Sequence, residues 1–318
     1  MAEWLYESGI GENRAILVEG GTIVEAQIEL PGLRAGTVAD ARLTSILVPG
    51  RRGIAALSDG SEVLIEPLSK ATEGAAIRIE IMREAIPEPG AVKRAKGRLT
   101  DAGPCIGPDL AARIGSHRVL GPHDADHFEA AGWSECLEEA ASGIIAFPGG
   151  TLRIVLTPAM TLIDIDGDDA CAGAKAAGLA VRRLGLAGNI GVDLPTVAGR
   201  AERQAIAAAF DAAMPSPFER TSVNGFGFLQ IIRPRFRASL CEQVQQDRAG
   251  AGARALLRAA QRSGIVGAAE IVGDPRVINI LERNPSWIDQ LSMAIGGALS
   301  LRRDPTISQF SGSIHRIG

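Results

Sequence analysis

The sequence has few aromatic side chains, and this scarcity limits how the protein could hold a nucleic acid. Phe, Trp and Tyr make up only 4% of the 318 residues, and every Phe lies at or beyond Phe128. Residues 36–100 contain no aromatic ring, although stacking on such rings contributes about 1–3 kcal/mol per base. The net charge of −4 also argues against a broad basic surface. Any contact with a nucleic acid must therefore be local.

Cysteine and long apolar runs are scarce as well. The four cysteines are Cys105, Cys136, Cys171 and Cys241, and none has CxxC spacing, which is typical of free thiols in a reducing compartment. No stretch approaches the roughly 20 apolar residues of a membrane span, and the N-terminus lacks the apolar run of a secretory signal. With 46% hydrophobic and 22% charged residues, the chain is expected to be a cytoplasmic protein of two or three domains.

Short strands are predicted for the first third of the chain. Residues 12–30 have the pattern of a β-hairpin that turns at Gly20 and Gly21. Residues 36–100 continue as short alternating strands, which predicts a small barrel of the OB type. Residues 104–142 are expected to be irregular and then helical, with Gly143 as the stop.

The second half has a different pattern. The predicted elements, in chain order, are strands TLRIVL and TLIDID, a helix over 169–186, a strand GNIGVDL, a helix over 199–213 and two strands within 219–233. The strand–helix–strand segment has the length of a parallel crossover. A stretch rich in Gly, Ala and Arg near 247–254 predicts a hinge before a last small α/β piece.

Three aspartates of this second half have the spacing of a shared site. Asp164 and Asp166 lie two residues apart in TLIDID, so an extended strand points them to one face. The crossover brings Asp193, in GVDL, to the carboxyl end of the neighbouring strand, where open α/β sheets bind ligands. Converging carboxylates repel each other unless a cation or a proton lies between them. Oxygen ligands of this kind suit Mg²⁺ or Mn²⁺ and not zinc.

Each aspartate also has a structural interpretation, because Asp is common where strands end and helices begin. That interpretation is favoured for Asp168 and Asp169, which follow the strand. The apolar neighbours of Asp164 and Asp193 predict burial, and an unpaired buried charge is costly. The metal site is therefore favoured for these two aspartates.

The run FPGGTLRIVLTPAMTLIDID resembles the start of the catalytic core of the ribonuclease E/G family. By that match Asp164 stands at the first catalytic aspartate, and Asp166 replaces an asparagine that supports metal binding. LAGNIGVDLPTV is similar to the family's second strand and places Asp193 at the second catalytic aspartate. VNGFGFLQIIRPR and ENRAILVEGGTIVEAQIE resemble two further family segments. The resemblance covers most of the chain and is most specific over 147–235.

The resemblance implies an α+β, multidomain fold. Its implied parts are a reduced RNase H-like part (1–35 and 101–142), an OB-fold-like barrel inserted in it (36–100), a DNase I-like α/β catalytic domain (143–246) and a small C-terminal domain (247–318). The family pairs protomers through that last domain, so a homodimer is an expectation.

Two family features are missing from the sequence. The family's large insertion that senses RNA 5′ ends would lie between about 101 and 143, where only some forty residues remain. The family's zinc-linking CPxC motif should follow near Cys241, which stands alone. Neither 5′-end sensing nor structural zinc is therefore expected.

Two basic segments are candidate RNA contacts. Arg233, Arg235 and Arg237 alternate along an extended segment and would form one cationic ridge, with Phe226, Phe228 or Phe236 available for stacking. The alternative is an edge strand protected by charge. A second set of contacts follows from the resemblance. It comprises Lys93, Lys96 and Arg98.

The histidines His117, His123 and His127 include a pair with helical i, i+4 spacing, which would suit zinc. Pro122 delays the start of a helix, so an exposed capping segment is the favoured interpretation. Their role stays open.

The sequence thus predicts a Mg²⁺-dependent endoribonuclease that acts on single-stranded RNA. Asp164 and Asp193 would hold the ion and Asp166 would complete the site. The alternatives are an RNA-binding or ribosome-associated protein that has lost turnover, and a phosphodiesterase that acts on another substrate such as DNA.

Overall fold

The computed structural model describes residues 2–69, 71–197 and 199–317. The strands within these ranges are β1 (Glu3–Ser8), β2 (Asn13–Glu19), β3 (Thr22–Glu29), β4 (Val38–Val48), β5 (Arg52–Ala56), β6 (Glu62–Ile65), β7 (Ala76–Arg83), β8 (Ile86–Glu88), β9 (Ala91–Lys93), β10 (Ala95–Leu99), β11 (Arg118–Val119), β12 (Ile144–Phe147), β13 (Gly150–Leu156), β14 (Thr161–Gly167), β15 (Gly188–Asp193), β16 (Glu219–Arg220), β17 (Phe228–Arg233), β18 (Ala269–Gly273), β19 (Leu299–Arg303) and β20 (Ser313–Arg316). The helices are α1 (Leu110–Ile114), α2 (His127–Ala130), α3 (Trp133–Ser142), α4 (Ala170–Arg183), α5 (Arg200–Ala213), α6 (Leu240–Gln246), α7 (Arg248–Arg262), α8 (Pro275–Arg283) and α9 (Pro285–Ile295).

The chain divides into two compact units. The first unit comprises residues 1–31, 114–142 and 243–318, and the second comprises 32–113 and 143–242. The fold is therefore α+β, as expected, with several sheets and a closed barrel. No helix in the described ranges is long and apolar enough to cross a membrane.

The first unit contains two sheets. One has the strand order β11-β1-β2-β3, in which β2 and β3 form the predicted hairpin with Gly20 and Gly21 at its turn. The other has the order β19-β18-β20. Ile10 belongs to the same buried cluster as residues of α7, α8 and α9, such as Leu257, Ile278 and Leu291. The core of this unit therefore joins the beginning of the described chain to its last quarter.

A buried network of charged side chains lies within the first unit. Glu7, with a side chain only 4% exposed, accepts hydrogen bonds from Arg14, Arg258 and Arg262. Asp126 also pairs with Arg258 and Arg262. Burial alone would lower the pKa of Arg258, but the hydrogen bonds to these two carboxylates raise it above its ordinary value. The network thus keeps buried charges in pairs, as burial in a medium of low polarity requires.

The second unit begins with the predicted barrel. Strands β4, β5, β6, β7 and β10 close it in the order β10-β6-β5-β4-β7. Its interior is filled by aliphatic side chains that are essentially inaccessible, such as Leu43, Val63, Ile65 and Ile79. Closure removes the free strand edges that would otherwise pair with other chains.

The rest of the second unit is a six-stranded sheet, in the order β12-β13-β14-β15-β17-β16. Strands β14 and β15 are parallel, as the crossover length predicted, and α4 joins them. Period-two alternation places Ile163 and Ile165 in the core and leaves Asp164 and Asp166 exposed. One face of the sheet therefore packs against helices, while the other face carries polar side chains.

Helix α4 begins where its sequence favours it. The Asp169 carboxylate caps the helix by accepting hydrogen bonds from the backbone N–H groups of Cys171 and Ala172, at 2.8 and 3.1 Å. Small residues on its inner side then allow close packing. A Cβ on Gly173 would lie only 2.6 Å from Cγ2 of Ile165. The structural interpretation of Asp169 is confirmed.

One expectation about secondary structure is wrong, and one strand was not expected. The segment 247–254 is no hinge, because the Asp247 side chain accepts a hydrogen bond from Gly250 N–H and α7 continues from Arg248 to Arg262. Strand β1 was not predicted, although it pairs with β2 along six residues. Its sequence, EWLYES, mixes charged and aromatic residues and so gives a weak apolar signal.

Candidate functional site

Asp164 and Asp193 lie side by side on neighbouring strands. Asp164 of β14 and Asp193 of β15 are partners in the parallel register. Partners on neighbouring strands lie about 4.8 Å apart and point to the same face. Both side chains are exposed; Asp193 is the last residue of β15, whereas Asp164 lies at the middle of β14. The sequence spacing thus correctly predicted that this pair would meet.

The predicted burial of the two aspartates is wrong. Their apolar neighbours are the alternate residues of each strand, and these point into the helix-covered face. Because Asp164 and Asp193 face solvent, desolvation does not oblige them to share a cation. The remaining argument for a cation is the repulsion between like charges directly opposite on adjacent strands.

Asp166 lies one step further along the same face. It is exposed, and its register partner is Thr151 of β13. Within the ranges that the structure describes, no group of three or more His, Cys, Asp or Glu side chains is arranged to hold a metal. The geometry therefore offers two adjacent carboxylates, with the third offset along β14. Magnesium sites in proteins usually use one or two carboxylates together with waters and substrate phosphates, so the donor set fits that ion.

Arg153 is a candidate site residue that the sequence did not suggest. It lies on β13 directly across from Asp164 in the antiparallel register, and it is exposed. It forms no ion pair with another described residue, so its guanidinium is available to a ligand. Arg153, Asp164 and Asp193 therefore form one row across three strands. A cation beside two anions is an arrangement that can contact a phosphate and its metal ion at once.

Phe226 lies at the same end of the sheet as Asp193. It belongs to a turn over residues 224–227 in which the Asn224 carboxamide oxygen accepts hydrogen bonds from the backbone of Phe226 and Phe228. Phe228 is the register partner of Asp193. The Phe226 ring is 84% exposed, which leaves a large apolar surface uncovered beside the aspartates. This exposure suits a ring on which a base stacks.

The turn is held to β15 by one close backbone contact. Gly227 has φ +85°, and a Cβ there would lie 2.3 Å from the carbonyl oxygen of Leu194. The Leu194 N–H donates to the Gly227 carbonyl at 3.1 Å. Only glycine fits this conformation and this separation. Because Leu194 follows Asp193, Gly227 indirectly fixes the position of the catalytic candidate.

The three arginines at and beyond the end of β17 do not form the expected solvent-facing ridge. Arg233, Arg235 and Arg237 do alternate, but each is half-buried, while Phe236 between them is 51% exposed. Arg233 donates to the carbonyl oxygens of Val181 and Leu186, and Arg235 pairs with Glu242. Arg233 is also the register partner of Gly188, at the opposite end of β15 from Asp193. Arg233 and Arg235 thus have partners within the protein, and an RNA contact by the three arginines stays a prediction.

The predicted basic residues of the barrel region are also paired. The ion pairs are Lys93 with Glu88, Lys96 with Glu66 and Arg98 with Glu80, at 2.7–2.9 Å. The hydrogen bond and the charge of Lys96, together with those of Arg52, lower the pKa of Glu66 to about 2. Each cation therefore has a carboxylate partner, which weakens its attraction for phosphate. Their contact with RNA stays a prediction too.

The three histidines belong to the first unit. His127 is the first residue of α2, and its Nε2 lies 2.9 Å from Nη2 of Arg118. His123 precedes α2, so His123 and His127 do not share a helix face. His117 contacts the carbonyl oxygen of Gly115 through Nδ1, at 2.6 Å. The capping interpretation of this segment agrees with the geometry of Asp126, which caps α2.

No family model matches the sequence, and no curated protein is significantly similar to it.

Proposed function

We propose that the open face of the six-stranded sheet is the active site of a metal-dependent endoribonuclease that acts on single-stranded RNA. One observation carries the proposal. Two exposed aspartates, Asp164 and Asp193, lie in register on adjacent parallel strands, and Asp193 ends β15, at the edge of the sheet where α/β sheets bind ligands. The choice of RNA rests on the resemblance of 147–235 to the catalytic core of the ribonuclease E/G family.

Each residue of the candidate site, including Asp166 and Phe226 beside the row, has a role under this proposal. Asp164 and Asp193 would bind Mg²⁺ or Mn²⁺ through their carboxylates, with Asp166 tuning the charge beside them. A bound ion would supply an activated water and neutralise charge on the phosphate. Arg153 would hold a phosphate oxygen through charge-assisted hydrogen bonds. Phe226 would stack on a base next to the scissile bond and so fix the strand in place.

Cleavage of a labelled RNA tests the proposal. A 5′-fluorescent single-stranded RNA is incubated with the protein in Mg²⁺, in Mn²⁺ and in EDTA. Asp164→Asn and Asp193→Asn should each reduce cleavage at least 100-fold, since a metal ion contributes several kcal/mol to such a reaction and about 1.4 kcal/mol is a factor of ten. Asp168→Asn is the matched control, because Asp168 is exposed just beyond β14, and it should retain activity.

Retained cleavage in both Asp164→Asn and Asp193→Asn, at levels close to those of the control, would overturn the assignment. A single-stranded DNA of the same sequence is included in parallel. Cleavage of the DNA alone would point to a phosphodiesterase with a different substrate.

A second candidate is an RNA-binding protein without turnover. It is favoured by Arg153 and Phe226, which present a cation and a ring on the open face and need no metal to bind RNA. Electrophoretic mobility of the RNA with EDTA separates the two candidates. A slower-migrating band of intact RNA in EDTA, together with no cleavage in Mg²⁺ or Mn²⁺, would favour the RNA-binding protein.

A further inference from the structure

A pocket of about 160 Å³ lies on the second unit, away from the aspartate row. Its walls come from the β8–β9 segment, from the turn over residues 157–160, and from Asn189 and Arg235. Asn189 occupies the same face of the sheet as Asp193, because the two are four residues apart on β15. At about 3.3 Å per residue, the pocket lies about 13 Å along the strand from the aspartate pair.

The pocket is electrically balanced. Its two cations, Lys93 and Arg235, pair with Glu88 and Glu242, which also line it. No net positive charge is left over for a free phosphate. The chemistry of the walls therefore suits a neutral polar group better than an anion.

The size of the pocket fits one six-membered ring. A cavity of about 150 Å³ is known to hold a benzene molecule, so 160 Å³ is enough for a pyrimidine base. Apolar wall atoms come from Pro87, Pro158 and Met160. The turn that carries Met160 is held by Thr157, whose Oγ1 donates to the Met160 carbonyl at 2.6 Å and accepts from its N–H at 3.2 Å. The wall is thus preorganised.

Asn189 supplies the recognition chemistry. Its carboxamide is exposed and has no hydrogen-bond partner among the described residues. An amide offers two donors and an acceptor, which complements the mixed donor and acceptor edge of uracil or cytosine. The Asn189 side chain is not needed to hold the sheet together, because the backbone of β15 pairs with β14 and β17.

We propose that this pocket binds a single pyrimidine base of the single-stranded RNA that runs across the open face. The inference rests on the proposed function, because it takes the RNA as the ligand. It also explains how a protein whose barrel region has no aromatic ring can select a position along RNA. A pyrimidine held here places the cleaved bond at a fixed distance from it.

Binding and cleavage are measured separately to test the pocket. Fluorescence anisotropy in EDTA compares an all-adenine oligonucleotide with one that carries a single uridine or cytidine. The pyrimidine should tighten binding about tenfold, since a stacked or pocketed base contributes about 1–3 kcal/mol. Asn189→Leu removes the amide while keeping a side chain of similar size, and it should abolish the difference without weakening binding of the all-adenine strand.

Gln230→Leu is the matched control. Gln230 is an amide on the same face, one strand away, and does not line the pocket, so this variant should keep the pyrimidine preference. Equal binding of the two oligonucleotides by the wild-type protein would refute the proposed pyrimidine site. An unchanged pyrimidine preference in Asn189→Leu would refute it too.

Cleavage in Mg²⁺ is the second readout. When the pyrimidine is placed at different positions in the oligonucleotide, the cleavage position should shift by the same number of nucleotides. If binding shows the pyrimidine preference but no RNA is cut, the proposed pyrimidine site is supported and the proposed nuclease activity is refuted. If RNA is cut at positions independent of the pyrimidine and binding shows no preference, the nuclease stands and the pocket fails.

Discussion

Replacing Glu7 by Gln should destabilise the first unit more than any exposed ion-pair variant. Glu7 accepts four hydrogen bonds from three arginines, at 2.8–3.1 Å, and its side chain is 4% exposed. Gln keeps the shape but removes the charge and turns an N–H₂ group toward guanidinium donors. Removing one partner of a buried ion pair costs about 3–5 kcal/mol. Asp126 still holds Arg258 and Arg262, so the lower half of that range is expected.

Tryptophan fluorescence measures this loss selectively. Trp4, Trp133 and Trp287 are the three tryptophans of the sequence, and all lie within the first unit. Urea unfolding followed by their emission therefore reports that unit, whereas circular dichroism reports both units. With a urea dependence of about 1–3 kcal/mol per molar, a loss of 3 kcal/mol lowers the midpoint by at least about 1 M.

Glu270→Gln is the control in the same unit. Glu270 pairs with Arg302 at 2.9 Å, with side chains 33% and 51% exposed, and such pairs contribute at most about 1 kcal/mol. If the two variants shift the midpoint equally, the network around Glu7 does not stabilise the unit as its burial implies.

Two further predictions concern backbone geometry and pH. Gly227→Ala should lower both stability, by at least about 1–2 kcal/mol for a non-glycine residue at positive φ, and RNA cleavage, because its Cβ would lie 2.3 Å from the Leu194 carbonyl oxygen. Gly225→Ala, whose Cβ would meet nothing within 4 Å, should do neither, and equal effects would refute the role of Gly227. The pKa of Glu66 is lowered to about 2, so its stabilising contribution is present above its ordinary value near 4.5 and is lost as the pH falls through about 2. An NMR titration of its carboxyl carbon should show that midpoint, and Lys96→Met should raise it; an unchanged midpoint would exclude Lys96 as the main cause.

Local sequence signals predicted a good part of the fold. The hairpin at Gly20 and Gly21, the cap at Asp169 and the parallel crossover from β14 to β15 each depend on residues close together in the chain. The register of Asp164 with Asp193 followed from that crossover. Such features are set by turn chemistry and strand periodicity, which a single sequence displays.

Features that depend on distant partners were not predictable. The partners of Arg233 are carbonyl groups of Val181 and Leu186, some fifty residues earlier in the chain. Arg153 meets Asp164 only through the register of an antiparallel pair. The supposed hinge near 250 is helical because Asp247 caps α7 and its small residues pack closely. Composition alone cannot distinguish such a helix from a flexible segment.

The division of the chain also has a consequence for the order in which the protein folds during synthesis. All of the second unit lies within residues 32–242, so it is complete while the ribosome is still making the remainder. Ile10 packs in a cluster whose other members begin at Ala253. The carboxylate of Glu7 cannot pair with Arg258 and Arg262 until those residues have been synthesised. Contacts between such distant residues form slowly, because a long loop must close first. The β1–β2–β3 segment therefore leaves the ribosome early but acquires its core last, and during that interval its apolar side chains and strand edges are exposed to aggregation.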